Sequence, residues 1–171
     1  MKEILHRLPM RFKFALVLVL PLIALGWFAA SGAIARQAVV NELSRMQALT
    51  ALAQQAGGWV HQVQRERGMT AGFLGSQGKV FGDRLRQQRS DTDAAAEAFF
   101  QQRDQLDATL LTSTISSQLA AVEQQWQQNQ SLRDQVDLLS VATPEALGHY
   151  TGLNSLLMVL VGELAHLTGE G

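Results

Sequence analysis

The sequence predicts an all-α protein in which an N-terminal transmembrane helix continues into an antiparallel bundle of about four helices. Alanine, leucine and glutamine are abundant, whereas the 171 residues include only three prolines and one tyrosine, a composition that favours helices over strands. Apolar residues recur every three or four positions through most of the chain, which is the spacing of one helix face. The length is sufficient for a single core.

Composition and motifs exclude several classes of function. The net charge of -1 provides no basic surface, so no nucleic-acid partner is predicted. The absence of cysteine excludes disulfides, thiolate metal sites and cysteine nucleophiles. The histidines have no i,i+4 pairing, and the chain carries no nucleophile elbow or phosphate-binding loop. We therefore predict no metal, no cofactor and no catalytic residue.

Residues 14–35 are predicted to form the transmembrane helix, because they contain no charged residue. As a helix this run is about 33 Å long, enough to cross the hydrocarbon core. Four basic residues precede it and a lone Arg36 follows it soon after. The positive-inside bias therefore places residues 1–13 in the cytoplasm and residues 36–171 outside, as an extracytoplasmic domain.

A cleaved signal peptide is the alternative for this segment. The small residues Ala33 and Ala35 flank Ile34 in a cleavage-like pattern. The uncleaved anchor is favoured because the run exceeds the usual apolar core of about 7–15 residues in a signal peptide. Helical patterning also continues beyond it without a break. Both interpretations place the remaining chain outside the cytoplasmic membrane.

Four helices are predicted after the membrane segment. The first two cover residues 36–73 and 79–111, and a glycine-rich turn separates them. One residue of 112–114 is expected to cap the third helix, which reaches about Leu139. The fourth follows Thr143 and Pro144, a typical helix start, and ends at Gly169. Its uninterrupted apolar stretch is much shorter than the roughly 20 residues of a membrane span, so we interpret it as a buried bundle helix.

The most informative segment lies where an apolar stripe of the first helix meets charge. The stripe runs at helical spacing from Leu49 to Val63, and its next position is Glu66 or Arg67. An arginine that faces a bundle interior is costly unless an anion or a carboxylate meets it. Gly68 and Gly72 follow at a spacing of four and are predicted to allow close packing of a neighbouring backbone or ligand.

Two interpretations of Arg67 remain open from the residues alone. In the structural one, Arg67 pairs with Glu66, Asp91 or Asp93 within the bundle. In the functional one, its planar fork of donors binds a small planar anion, and the Thr70 hydroxyl adds a donor one turn later. The nearby group of Arg89, Asp91 and Asp93 is expected to be a solvated helix face.

Several of these residues together resemble a known family. Residues 63–74 contain the pattern E-R-G-x-[ST]-x-G-F-L, and residues 88–93 contain Q-R-x-x-T-D. With the preceding membrane helix, they resemble the N-terminal part of the NIT domain, the nitrate- and nitrite-sensing domain of bacterial receptors and regulators. Tyr150-Thr151-x-Leu153-Asn154 resembles a later segment of the family. The resemblance covers roughly Leu49 to the end of the chain.

The resemblance implies an all-helical domain that binds nitrate or nitrite through arginine. By motif match Arg67 is the anion-binding residue, and Thr70 occupies the hydroxyl position. The family domain is longer, and its later part contributes a second arginine-bearing helix. The chain therefore resembles the front portion of a homodimeric, chemoreceptor-like protein of the bacterial inner membrane (a methyl-accepting chemotaxis protein), with residues 36–171 periplasmic. The alternatives are a four-helix receptor domain for another small ligand and a non-sensory helical membrane scaffold.

Overall fold

The computed structural model describes residues 10–169, and within that range the chain is helical with no strand. The predicted all-α class is confirmed. Residues 1–9, which contribute to the predicted cytoplasmic tail, lie outside the described residues. The chain divides into two compact units at Ser44 and Arg45. In chain order the elements are α1 (Met10–Gly75), α2 (Gly82–Asp104), a 3-10 turn (Ala108–Leu110), α3 (Ser113–Gln127), α4 (Asn129–Asp137) and α5 (Thr143–Gly169).

The first unit is the N-terminal part of α1. Every described side chain between residues 18 and 44 is exposed, including Trp27 and Phe28. Pro21 lies inside the helix. As judged by length and composition, α1 and α5 are both apolar enough to cross a membrane. In α5 the face that carries Leu153, Leu157, Leu160 and Leu164 is buried, whereas α1 buries its apolar face only from Leu49 onward.

The second unit is a helical bundle around an aromatic centre. Trp59 of α1 is fully buried and lies 5.0 Å from the Trp126 ring of α3 and 5.3 Å from the Phe99 ring of α2. Such edge and tilted ring contacts bury large apolar areas at favourable geometry. The leucines of α5 complete this core.

The α1–α2 turn depends on one close contact. Phe81 precedes α2 with a φ of 70°, in the left-handed region that a bulky residue rarely adopts. Its ring lies over Gly72, where an added Cβ would stand 2.5 Å from Phe81 Cε2. Gly68 has open space where a Cβ would stand, so no described residue makes the close approach predicted there. The ring contact at Gly72 helps to hold the strained turn.

Two of the predicted helices are shorter than expected. The second was predicted to reach Leu111 but ends at Asp104. The Asp107 carboxylate accepts hydrogen bonds from the backbone and the hydroxyl of Thr109, and such local bonds compete with helix. The third begins at a true cap, since Ile115 N donates to Thr112 Oγ1, but it breaks at Gln128 into α3 and α4.

Candidate functional site

The inward face of α1 carries a carboxylate and not an arginine. Glu66 and Thr70 are both fully buried, whereas Arg67 is exposed. The buried face of α1 advances by alternate steps of three and four residues from Leu49 through Val63, and the same alternation reaches Glu66 next. The interpretation that placed Arg67 toward the bundle interior is therefore wrong, because the register of α1 turns its guanidinium to solvent.

Arg133 of α4 neutralises the buried Glu66. Arg133 Nε donates to Glu66 Oε1 at 2.7 Å, and Arg133 Nη2 donates to Oε2 at 2.8 Å. Tyr150 of α5 donates its hydroxyl to the same Oε1 at 2.9 Å. This bidentate, charge-assisted pair satisfies both carboxylate oxygens in a site that excludes water. One carboxylate thus joins α1, α4 and α5.

Arg133 and Arg89 connect the same site to α2. Arg133 Nη1 donates to Asp93 Oδ1 at 2.7 Å, and its Nη2 also donates to the Arg89 carbonyl at 3.3 Å. Arg89 in turn donates to two acceptors on α4, Asp137 Oδ2 at 2.8 Å and the Arg133 carbonyl at 3.4 Å. The Arg133 network is hereafter the set Glu66, Arg89, Asp93, Arg133, Asp137 and Tyr150. The expected solvated face at Arg89 is wrong, since Arg89 is buried within this network.

The remaining polar residues of the Q-R-x-x-T-D pattern tie α2 to α1. Gln88 Nε2 donates to Gln62 Oε1 at 2.8 Å and to the Gln62 carbonyl at 3.3 Å. The Thr92 hydroxyl donates to the Gln88 carbonyl at 2.9 Å. Gln88, Arg89 and Asp93 therefore each bond to a neighbouring helix, and Thr92 bonds to the backbone of Gln88. In this chain the residues of the pattern hold α2 against the neighbouring helices α1 and α4.

Burial and charge set the protonation of the network. Burial raises the pKa of the Tyr150 hydroxyl, and the adjacent Glu66 carboxylate raises it further, so Tyr150 remains a donor. Burial alone would lower the pKa of Arg133, but hydrogen bonds and charge from Glu66 and Asp93 raise it. Burial also lowers the pKa of His149, whose Nδ1 lies 3.1 Å from Gln125 Nε2. That amide nitrogen also donates to the His149 carbonyl, so Nδ1 is the acceptor and the imidazole is neutral.

Arg67 differs from the network arginines in having no partner. It makes no hydrogen bond or ion pair with any described residue, and it is exposed. Thr70, the second predicted anion ligand, is buried beside the Tyr150 hydroxyl. The two groups share a turn of α1 but lie in different environments. Among residues 10–169 no group of three potential metal ligands occurs.

Comparison with known protein families gives a match to the part of the chain that contains this site. A family model described as nitrate and nitrite sensing, NIT, matches residues 59–171, about two thirds of the sequence. The chain belongs to the NIT family. The match begins at Trp59 in α1, so this NIT domain includes Arg67, the Arg133 network and all later helices. No curated protein matches the chain.

A solved structure shares the fold. The NasR transcription antiterminator aligns with a TM-score of 0.70 and 25% sequence identity over 84% of this chain. The alignment covers 38% of the NasR chain, so the NIT chain described here spans well under two thirds of that protein.

Two members of the Arg133 network were not identified by sequence reasoning. Arg133 lies in a glutamine-rich stretch with no motif around it, although its spacing from Asn129 and Val136 places it on their buried face. No feature of the sequence indicated a role for Asp137. The strict alternation of three and four residues along α1 was a usable signal for Glu66, because it selects Glu66 over Arg67 after Val63.

Proposed function

We propose that this NIT chain is the extracytoplasmic sensing portion of a bacterial transmembrane receptor, and that it binds nitrate or nitrite through Arg67. The family match over residues 59–171 carries this proposal. Arg67 is the arginine of the E-R-G pattern, and its guanidinium makes no hydrogen bond or ion pair with the residues that the structure describes. Buried arginines of the bundle are already committed to carboxylates, as Arg133 and Arg89 are.

The chemistry of the guanidinium suits a small planar monoanion. Two parallel N–H groups of Arg67 match two oxygens of nitrate or nitrite in a bidentate arrangement. A single exposed ionic contact contributes only about 0–1 kcal/mol in water. Arg67 alone therefore gives weak binding, and useful affinity requires a second cationic group and exclusion of solvent.

The position of Arg67 on α1 provides a route for the signal. Its neighbour Glu66 joins α1 to α4 and α5 through Arg133 and Tyr150. An anion on one side of this turn and the Arg133 network on the other both act on the placement of α1. The ligand shifts the packing only by the difference between its affinities for the two states.

The anchor supports the localisation in the inner membrane. Helix α1 is continuous from Met10 to Gly75 and includes the uncharged residues 14–35. In this proposal residues 1–13 are cytoplasmic and residues 36–171 are periplasmic. Resistance of the full chain to alkaline extraction from membranes, together with protease access from the periplasmic side only, tests this topology.

Calorimetric titration of the full chain in detergent tests the ligand. Nitrate and nitrite are expected to release or absorb heat, whereas chloride and sulfate are the competing anions. Arg67→Ala is expected to lose nitrate binding, and Arg86→Ala is the matched control, an exposed arginine of α2 that pairs locally with Asp83. Absence of heat with both nitrogen oxyanions would reject the sensing role. Unchanged affinity in Arg67→Ala would reject the site and leave the function open.

A further inference from the structure

Helix α1 ends in a backbone motif that usually contains glycine. Gln77 N donates to the Leu74 carbonyl at 3.0 Å, and Gly78 N donates to the Phe73 carbonyl at 2.9 Å. This pair of bonds is a common way to end a helix, and the residue at its left-handed position is usually glycine. Gln77 occupies that position here, with a φ of 55°.

Helix α4 ends in the same motif, with leucine at the left-handed position. Leu139 N donates to the Val136 carbonyl at 3.0 Å, and Ser140 N donates to the Gln135 carbonyl at 2.9 Å. The φ of Leu139 is 53°. A branched side chain strains the backbone in this region, whereas glycine adopts it freely. Leucine at position 139 therefore lowers the stability of the fold.

The two turns that follow α1 and α4 form one surface at an end of the bundle. A Cβ added to Gly78 would lie 3.7 Å from Leu139 Cδ1, so the turns are in contact. Every left-handed φ among residues 10–169 occurs in these two turns. Strained residues persist only where the surrounding structure holds them, and they cluster at functional sites.

The same surface exposes apolar side chains. Among the described residues of the second unit, five large apolar side chains are exposed, and three of them lie in the two turns. These are Val80, Leu138 and Leu139. Leu138 is 77% exposed, the highest value of the five. Apolar side chains on a rigid turn gain free energy when another apolar surface covers them, so they mark a site of interaction.

Two cations border these apolar side chains. Lys79 and Arg84 are exposed, and neither makes an ion pair with a described residue. The Arg84 guanidinium lies over the Phe81 ring, 5.4 Å from its centroid. Arg84 also stands in the first turn of α2, where a positive charge opposes the helix dipole. Its charge therefore contributes nothing favourable to its own helix.

The neighbouring carboxylates do not offset these cations. Asp83 pairs with Arg86, and Asp137 pairs with Arg89. Glu145 lines a separate groove between α4 and α5. The uncompensated charge of the two turns is thus positive. The tip surface is hereafter the set Lys79, Val80, Arg84, Leu138 and Leu139.

We propose that the tip surface docks an acidic surface of a different, soluble protein. The partner supplies apolar side chains that cover Leu138 and Leu139, and carboxylates that meet Lys79 and Arg84. This is the usual anatomy of an interface, with an apolar centre and a polar rim. A second copy of the chain is a poor occupant, because its own tip surface carries the same positive charge.

The position of the tip surface favours a soluble partner over an anionic lipid surface. The chain enters the second unit at Arg45, about 45 Å along α1 from Gly75. The tip surface therefore lies at the other end of the bundle from the residues that follow the proposed anchor. The docking site depends neither on Arg67 nor on the identity of the anion.

Site-specific photo-cross-linking of the full chain in its native cells identifies the occupant. The photoreactive residue p-benzoylphenylalanine replaces Leu138, and the matched control replaces Gln124, an exposed glutamine of α3 without a hydrogen bond to a described residue. We expect an adduct with one soluble protein from position 138 and not from position 124. Mass spectrometry identifies the protein and the residues that are cross-linked.

Binding of the purified partner to the full chain in detergent then tests the chemistry. Leu138→Ser should weaken the affinity by roughly 30-fold or more, the level of an interface hot spot. Lys79→Glu should slow association by roughly tenfold or more at low salt and reduce its dependence on salt. Arg65→Glu is the matched charge reversal outside the tip surface, at an exposed arginine of α1, and should change neither value.

Leu139→Gly separates docking from a structural role. Glycine relieves the left-handed backbone, so the thermal midpoint of unfolding should rise. The affinity for the partner should nevertheless fall, because the apolar side chain is lost. A leucine that only supported the fold would leave the affinity unchanged.

Several outcomes would overturn the docking site. One is an adduct yield at position 138 no higher than at position 124. Another is an adduct with a second copy, with lipid or within the same chain. A partner whose association ignores Lys79→Glu overturns the acidic surface. Calorimetry with nitrate is independent of all these measurements, so failure of the sensing function leaves each of them interpretable.

Discussion

Arg133 of α4 holds Glu66 of α1 in a bidentate ion pair, with donor–acceptor distances of 2.7 and 2.8 Å, although 67 positions separate the two residues in sequence. The Glu66 side chain is fully buried and that of Arg133 is 5% exposed. Neither charge can be solvated when its partner is lost. The pair therefore makes the bundle sensitive to single substitutions at either position.

Removal of Arg133 should strongly destabilise the bundle. Arg133→Met leaves the Glu66 carboxylate buried without its partner, and the expected loss is about 3–5 kcal/mol of unfolding free energy. The double variant Glu66→Met/Arg133→Met removes both charges and should recover much of that loss. Urea denaturation followed by circular dichroism measures both values. A loss below about 1 kcal/mol in Arg133→Met, the level of a surface ion pair, would contradict the buried pair.

Tyr150→Phe should remove one hydrogen bond to the Glu66 carboxylate. The expected cost at neutral pH is about 1.5–3 kcal/mol, typical of a bond to a charged group. The folded-state pKa of Tyr150 is raised above its ordinary value of 10.0, so its contribution is complete below pH 10 and declines as the pH rises further. Stability measured between pH 8 and pH 11 should therefore fall less steeply in Tyr150→Phe than in the parent chain. Equal slopes in the two proteins would argue against a buried, protonated phenol.

His149 should make the bundle less stable in mild acid. Burial lowers its folded-state pKa below the ordinary value of 6.5, so the unfolded chain binds more protons as the pH falls through that value. Stability therefore declines below pH 6.5 and levels off once the folded-state pKa is passed. Chemical denaturation at pH 7.5, 6.5 and 5.5 measures the slope. His149→Gln should flatten it, whereas His61→Gln, at an exposed position of α1, should leave it unchanged.

Alanine should have opposite effects at the two glycines of the E-R-G region. Gly72→Ala places a Cβ 2.5 Å from Phe81 Cε2, so the ring must move and the α1–α2 turn should lose stability. Gly68→Ala meets open space and should gain up to about 1 kcal/mol from helix propensity. Thermal unfolding at concentrations where the chain is monomeric measures both changes. The double variant Gly72→Ala/Phe81→Leu should recover part of the loss, and a neutral Gly72→Ala would contradict the close ring contact.

Local chemistry predicted the boundaries of several elements. The cap expected within residues 112–114 is Thr112, whose hydroxyl accepts from Ile115 N. The predicted turn after Gly75 contains Gly78 at a φ of 77°, which glycine adopts without steric cost. The end of α2 was missed because Asp107 bonds to Thr109 instead of continuing the helix. A short Asx-type turn of this kind carries little signal within a helical period.

The candidate site was predicted less completely than the fold. The resemblance identified the family, but the apolar stripe was taken to place Arg67 on the inward face of α1, where the structure has Glu66. Glu66 is the buried group and Arg67 the exposed one, because the two lie about 100° apart on the helix and an apolar stripe several residues wide accommodates either. Only the packing of α4 against α1, which supplies Arg133, determines which charge is compensated inside.

By itself the sequence determined the helical class, the uncharged apolar segment at residues 14–35, the approximate helices and the family, since these depend on composition, period and short motifs. The tertiary structure alone decided that the Q-R-x-x-T-D pattern serves the Arg133 network, and that Arg67 is exposed and bonds to no described residue. The physical reason is that a buried charge is tolerated only where its partner converges on it. Convergence of residues as distant as Glu66, Asp93 and Arg133 is a property of helix packing, which no local pattern contains.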